Sequence, residues 1–344
     1  MPDGVAPPSS FPTFARGARK LALVGRATRA RTLPVMLSPV CAGAALAAHR
    51  RAWTQLCDGL SGRCRLVQEG DFHWTWLAVI LVGAAALHLA ANLINDYFDS
   101  RTGADKLARV DRSAIPTASG LIESGQMSAR VMLGIAMFFA AIAAVAGIWL
   151  AVVVRSWTVI WLGAIGTFLA VEYVGPPLRL AYRTRGVGDV AIFFAYGFLP
   201  VVGTFYVLRQ PADIGMPSVG AAMWAGVVPG LLTTLVVFHQ HFLHWRADKA
   251  AGKVTAVVAL GPDVALGVSG VVIVAAYVVL AVQVALRLFP PLALLGLVTA
   301  LPFAGAWVRA LRDPAPQHYL QLLGATLGAS VLTGAALVLA LGVG

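Results

Sequence analysis

The chain predicts an all-α membrane protein, a polytopic bundle of about nine transmembrane helices, and three observations carry that prediction. Its 344 residues are 59% hydrophobic and 12% charged, where an ordinary soluble domain is about 45–50% apolar and about 25% charged. The mean hydropathy is +0.79. Its apolar residues fall in runs near the ~20 residues that cross a hydrocarbon core of ~30 Å. Lipid offers the backbone no hydrogen-bond partners, so spans are helices or strands of a closed barrel, and continuous rather than alternating runs select helices.

Taken in order, residues 1–25 are rich in Pro and Ser and then in Arg, lack the apolar core of a secretory signal, and read as a disordered cytoplasmic tail that meets the headgroups. The transmembrane domain runs over 26–344, with spans at about 32–49, 74–98, 127–153, 156–173, 189–208, 218–243, 264–286, 288–309 and 319–342. Cys41 lies in the first span and reads as a small buried apolar residue. Cys57 and Cys64 share the loop after it, where a disulfide would need an oxidising compartment.

The formal net charge is +11, from 26 Lys and Arg against 15 Asp and Glu. In a soluble protein that excess could suggest a nucleic-acid partner; here the positive-inside rule accounts for it and no nucleic acid is expected. The cations collect in the tail, at Arg101–Arg112, Arg179–Arg185, Arg246–Lys253 and Arg309–Arg312, which puts the amino terminus and those loops in the cytoplasm. Arg50, Arg51, Arg63 and Arg65 run against the bias without reversing its sum. A bacterial plasma membrane is the expected location.

Two spans end in polar residues. In HLAANLINDYFD, His88, Asn92, Asn95, Asp96 and Asp99 recur at helical steps of three and four, so one stripe of the second span is wet. Carboxylates at membrane depth cost several kcal/mol unless compensated, and so point to a cavity or an ion path. Asp96 and Asp99 alone could be a helix end emerging into water, but Asn92 and His88 continue the stripe inward. The sixth span closes similarly, with Gln240, His244 and Asp248 at four-residue steps, His241 on the flank, and Lys249 and Lys253 beyond. A site between these two ends is the economical inference. Carboxylate and amide oxygens suit Mg²⁺, which bridges carboxylates to phosphates, and nearby Lys and Arg hold the remaining phosphate oxygens.

NDYFDSRTGAD at 95–105, TASGLIESGQMS after it, TRARTLP at 28–34 and YRTRGVGDVAIFFAYGFLPVVGTFYV at 182–207 together resemble the UbiA superfamily of intramembrane prenyltransferases. The resemblance is greatest to the 1,4-dihydroxy-2-naphthoate polyprenyltransferases of menaquinone synthesis. It implies that Asn95, Asp99 and Asp105, with Asp248, are catalytic and hold Mg²⁺. Arg29, Lys249 and Lys253 are then the expected phosphate clamp, Asn92 and Asp96 line the substrate site beside them, and Asp189 and Tyr206 complete it. One departure stands out: the second motif usually reads Asp-x-x-x-Asp, and here its first position is His244, expected to face a substrate phosphate.

The resemblance further implies that a polyprenyl diphosphate and an aromatic acceptor are the partners. The diphosphate departs, the allylic cation is shielded by aromatic rings such as Phe193, Phe194, Tyr196 and Phe198, and an electron-rich ring attacks it. Dihydroxynaphthoate is the expected acceptor, with loss of carbon dioxide; a hydroxybenzoate, a homogentisate, a porphyrinoid alcohol or a sugar phosphate are the alternatives within the fold. A secondary transporter is the rival from another class, but its carboxylates would lie near midplane on paired broken helices. HQHFLH suggests a di-iron oxygenase, which needs several such histidine boxes where the chain has seven His in all.

Overall fold

A computed structural model describes residues 21–49, 54–57, 64–67, 72–183, 186–209 and 216–343. The segment 1–20, with Arg16, Arg19 and Lys20, lies outside the described residues, as do Arg50, Arg51, Arg63 and Arg185. Residues 21–25, read from sequence as tail, are instead helical. The helix at 21–27 brings Leu23 and the fully buried Ala27 against Leu93, Tyr173 and Ile192, so apolar contacts order it.

A 3₁₀ turn, Ala30–Thr32, leads into α1 (Leu33–His49). The loop beyond α1 contains a hairpin of β1 (Thr54–Cys57) and β2 (Cys64–Val67), in which Cys57 and Cys64 are opposed register partners. Cys41 is half-buried rather than buried. Then come α2 (Trp74–Thr102), ended by the left-handed Gly103, and the short α3 (Ala104–Val110). Next are α4 (Ala129–Val154), whose first turn is capped by Ser128, and α5 (Trp157–Glu172). After α6 (Leu180–Arg183), α7 (Val187–Ile192), a π-helical turn (Phe193–Phe198) and α8 (Leu199–Leu208) form one continuous rod.

The second half holds α9 (Met216–Phe242), α10 (Trp245–Ala250), α11 (Ala256–Leu260), α12 (Pro262–Ala285), a 3₁₀ stretch (Pro291–Thr299) running into α13 (Ala300–Arg312), and α14 (Pro316–Val343). Among the described residues, eight helical stretches are long and apolar enough to span a bilayer, and α5, at 16 residues, is a shorter ninth apolar helix. The expected nine runs are thus all helical, with one below full span length.

The chain is an integral, multi-pass membrane protein, and its packing reads accordingly. Large apolar side chains such as Phe138, Trp157, Trp161, Val271 and Leu301 face outward, where lipid replaces water as solvent. Small residues let the helices approach: a Cβ on Gly197 of the π turn would overlap the Gly230 backbone of α9, and one on Gly230 would overlap the Phe193 ring. One buried cluster joins α1, α8, α9, α12, α13 and α14 through Leu46, Phe205, Leu232, Leu280, Phe303 and Leu337. A second gathers α2, α4 and α7 around Leu93, Met132 and Ile192. The polar ends of α2 and α9 lie between the two.

Candidate active site

A cavity of about 560 Å³ opens between α2 and α9. Its floor is polar and its upper wall apolar, with Val35, Met36, Ile192, Leu323 and Leu327 among the lining. Helical geometry sorts the α2 stripe. Asn92, Asn95 and Asp99 face the cavity with His88, whereas Asp96, about 100° round from Asn95, is turned away from it.

Asp96 is therefore not a wall of the site, as the sequence reading had it, but a fastening behind the wall. Its carboxylate pairs with the Arg29 guanidinium and accepts the backbone N–H of Ser119 at 2.9 Å. Arg29 stands in the left-handed region at φ 50°, and this places its guanidinium in the cavity lining. Burial works against its charge, but Asp96, Asp105 and Asp99 more than offset that, so its pKa is raised and it stays cationic. Asn92 donates to the Thr28 carbonyl at 3.2 Å, locking this turn onto α2.

At the centre of the floor, the Lys253 ammonium lies 2.6 Å from Asp99 Oδ2 and 3.9 Å from Asp248 Oδ1. All three groups are buried. Tyr182 donates to Asp99 Oδ1 at 2.6 Å, and its ring lies under the Lys253 ammonium. Burial disfavours the Lys253 charge, yet Asp99 and Asp248 reverse the balance and hold its pKa well above the usual value. Burial likewise pushes Asp248 up, and Lys253 and His244 bring it down to about 2. For Asp105, burial first, then the charges of Asp99 and Asp96, outweigh the opposing pull of Lys253 and Arg29 and push it up to about 8.

The sixth-span stripe survives a break in its helix. The chain leaves helical geometry at His244 before α10 begins, and Gln240, His244 and Asp248 still line the same cavity. His244 Nε2 lies 3.1 Å from the Thr117 hydroxyl, which also accepts from Gln240 Nε2 at 2.7 Å. On its other side, His244 Nδ1 is 3.1 Å from Asp248 Oδ2 without the alignment of a hydrogen bond, leaving that oxygen buried and unsatisfied. The loop carrying Thr117 is thus tied to α9, and Ile115 N–H to Leu243 C=O at 2.8 Å adds a second tie.

The four expected ligands, Asn95, Asp99, Asp105 and Asp248, all line this one cavity. They fit Mg²⁺ in kind: hard oxygens, one buried carboxylate oxygen lacking a donor, and one carboxyl that burial and neighbouring carboxylates push up by more than Lys253 and Arg29 bring it down. Among the described residues no three His, Cys, Asp or Glu side chains already form a ligand cage, and Lys253 stands between Asp99 and Asp248.

Besides Asp96, three expected site residues lie elsewhere. Lys249 is exposed, one helical position round from inward-facing Asp248. Tyr206 bonds to the Ser156 hydroxyl at 2.9 Å, at the far end of the α7–α8 rod and among Leu150, Val159 and Val207. Asp189 is buried just outside the cavity lining, 4.0 Å from His241 Nδ1. Of the aromatic rings, Tyr196 lines the cavity, while Phe193, Phe194 and Phe198 pack on one another, with Phe194 partly toward lipid. HQHFLH diverges too: His239 is fully buried against the Thr326 hydroxyl, away from the cavity lined by His241 and His244.

Sequence reading missed Tyr173, Tyr182 and Thr117. Tyr173, just past α5, lines the cavity and bonds through its hydroxyl to His241 Nε2 at 3.0 Å. The signal available was a tyrosine closing an apolar run two residues ahead of Gly-Pro-Pro, with a second tyrosine in the short segment beyond.

Residues 60–323 match the model of the UbiA prenyltransferase family. The chain is 28% identical over 244 residues to a 2-carboxy-1,4-naphthoquinone phytyltransferase of Synechocystis sp., covering 70% of this chain and 72% of that protein. It is 31% identical over 235 residues to the 1,4-dihydroxy-2-naphthoate octaprenyltransferase of Mycobacterium tuberculosis, covering 68% of each. Among solved structures, a UbiA homolog from Aeropyrum pernix K1 superposes with a TM-score of 0.63 at 14% identity, over 87% of this chain and 96% of that one. A UbiA homolog from Archaeoglobus fulgidus bound to DMAPP and Mg²⁺ superposes with 0.57 at 16% identity, over 92% and 98%. At such identities the structural likeness speaks for the fold.

Proposed function

The chain belongs to the UbiA prenyltransferase family, and from that premise we propose that it transfers a polyprenyl group from an allylic diphosphate to 1,4-dihydroxy-2-naphthoate in quinone biosynthesis. The observation that carries the site assignment is the Asp99–Lys253–Asp248 bridge across the floor of a cavity whose upper wall is apolar. One end suits an anion with its counter-ions and the other an isoprenoid tail. Relatives that act on dihydroxynaphthoate and its naphthoquinone counterpart support the acceptor.

In this reading Arg29 and Lys253 take the diphosphate oxygens, and Asp96 holds Arg29 in place from behind. Asn95, Asp99, Asp105 and Asp248 would hold Mg²⁺, which neutralises the charge that builds on the departing diphosphate. The allylic C–O bond breaks with its electron pair going to oxygen. Tyr196 presents a ring to the carbocation left behind, and the buried position of the floor keeps water from capturing it. The ring carbon of the acceptor then forms the new C–C bond, and carbon dioxide departs leaving its bonding pair in the ring. The positive-inside pattern supports the cytoplasmic face of a bacterial plasma membrane as the place of this chemistry.

The test is incubation of the purified protein in nanodiscs with radiolabelled polyprenyl diphosphate, dihydroxynaphthoate and Mg²⁺. A prenylated naphthoquinol is expected, lost with EDTA and lost in Asp99→Asn. Diphosphate release without that product overturns the acceptor, and neither product nor diphosphate release from folded protein overturns the reaction.

A further inference from the structure

Beside the carboxylate floor, the cavity wall holds a second polar group that phosphate binding does not use. Tyr173 closes α5, His241 lies near the end of α9, and Asp189 sits in the first turn of α7. Three separate elements thus bring one tyrosine, one histidine and one carboxylate together. Tyr173 and His241 line the cavity, and Asp189 lies behind them. The Tyr173 hydroxyl and His241 Nε2 are 3.0 Å apart. On the far side of the imidazole, Nδ1 faces Asp189 Oδ1 across 4.0 Å.

Those last two atoms are both buried and both lack a hydrogen-bond partner. An unsatisfied buried polar atom costs about 1–3 kcal/mol, and here two complementary ones face each other just beyond bonding distance. A mere brace for Tyr173 would need neither. Among the described residues no hydrogen bond joins the trio to Asp99, Asp105 or Asp248; the charges nearest His241 are Asp189, Asp248, Lys253 and His244. The backbone N–H of Ala256 also faces the Asp189 carboxylate.

We propose that Tyr173, His241 and Asp189 form a proton relay that withdraws the proton from a ring hydroxyl of the aromatic acceptor; this rests on the transferase reading above. The acceptor O–H bond breaks, its electron pair stays on oxygen and enriches the ring, and the proton passes to Tyr173 Oη as the Tyr173 proton passes to His241 Nε2. Nδ1 carries the hydrogen that faces Asp189, and the imidazolium so formed is drawn toward that carboxylate, closing the gap. This is the logic of a base oriented by a third group. When loss of carbon dioxide restores the aromatic ring, the borrowed proton returns by the same path to the oxygen. The relay thus raises the nucleophilicity of the acceptor just where the allylic carbon is generated.

The test varies the acidity of the acceptor. Rates of prenylated product are measured for a series of ring-substituted dihydroxynaphthoates, in wild type, His241→Asn and Asp189→Asn, with diphosphate affinity measured alongside. An asparagine amide can still bond to Tyr173 but cannot carry a proton. His241→Asn is expected to lose about 100-fold or more with the parent acceptor, the range of general-base catalysis, and progressively less as the hydroxyl becomes more acidic. Diphosphate affinity stays within about 2-fold. Tyr173→Phe, which retains the ring and the fold, shows the same acidity dependence. An even loss across all acceptors, or none, overturns the relay while leaving the transferase reading intact. Wild type that prenylates no acceptor overturns both.

Discussion

Lys253 and Asp99 form an ion pair of 2.6 Å that ties the segment after α10 to the end of α2, with the ammonium and the carboxylate both buried. Removing either partner leaves the other charge buried without its match, and a broken buried pair costs about 3–5 kcal/mol.

Asp99→Asn and Lys253→Met should each lower the unfolding temperature in detergent by several degrees. The double variant should be more stable than the sum of the two losses allows, because the Asp99–Lys253 interaction enters both single losses and is broken only once. Diphosphate release should be lost in all three, by at least about 100-fold. A double variant that recovers stability and activity together would mean that the pair is structural.

Tyr206 and Lys249 are expected to be nearly silent in catalysis. Tyr206→Phe removes one hydrogen bond, to Ser156, worth about 1 kcal/mol of stability, at the opposite end of the α7–α8 rod from the cavity. Lys249→Ala removes an exposed cation. kcat and KM should each stay within about 2-fold; a loss of 10-fold in either would show that the site extends beyond the cavity described.

His244→Asp tests the departure in the second motif. It sets a new carboxylate near Asp248, where a histidine now stands, and removes the imidazole contact with Thr117. Like charges at this distance repel unless a cation intervenes. Without divalent cation the variant should melt below wild type, and added Mg²⁺ should raise its melting temperature by more than it raises that of wild type. An equal response to Mg²⁺ would show that position 244 lies outside the metal's reach.

The spans were legible because lipid leaves the backbone so few choices: a long apolar run is a helix whatever packs on it. The α2 stripe was legible for a related reason, since Asn92, Asn95 and Asp99 on one face have no business in hydrocarbon without a cavity to meet. What failed were residues judged by motif without their depth. Tyr206 comes about 17 residues after Asp189, which at 1.5 Å per residue is roughly 25 Å away along the rod. Lys249 adjoins Asp248 in sequence but not in direction, a distinction that a six-residue helix makes and a motif does not. Tyr173 and Tyr182 were invisible for the opposite reason. Tyr173 is the residue that closes α5 and Tyr182 lies in the four-residue α6; tertiary packing sets where each points, so no periodicity in the sequence announces it.

The 16 residues of α5 rise only about 24 Å, short of a hydrocarbon layer of ~30 Å. Trp157, exposed at one end, is an interfacial anchor of the usual kind. The other end stops where Glu172 turns inward to accept the backbone N–H of Leu178 and Tyr173 opens onto the cavity. A span this short is matched to lipid by local thinning or by polar groups reaching in from this flank. For the reaction proposed above, this mismatch of one helix would let an isoprenoid tail anchored in the leaflet meet a water-borne acid without either leaving its own phase.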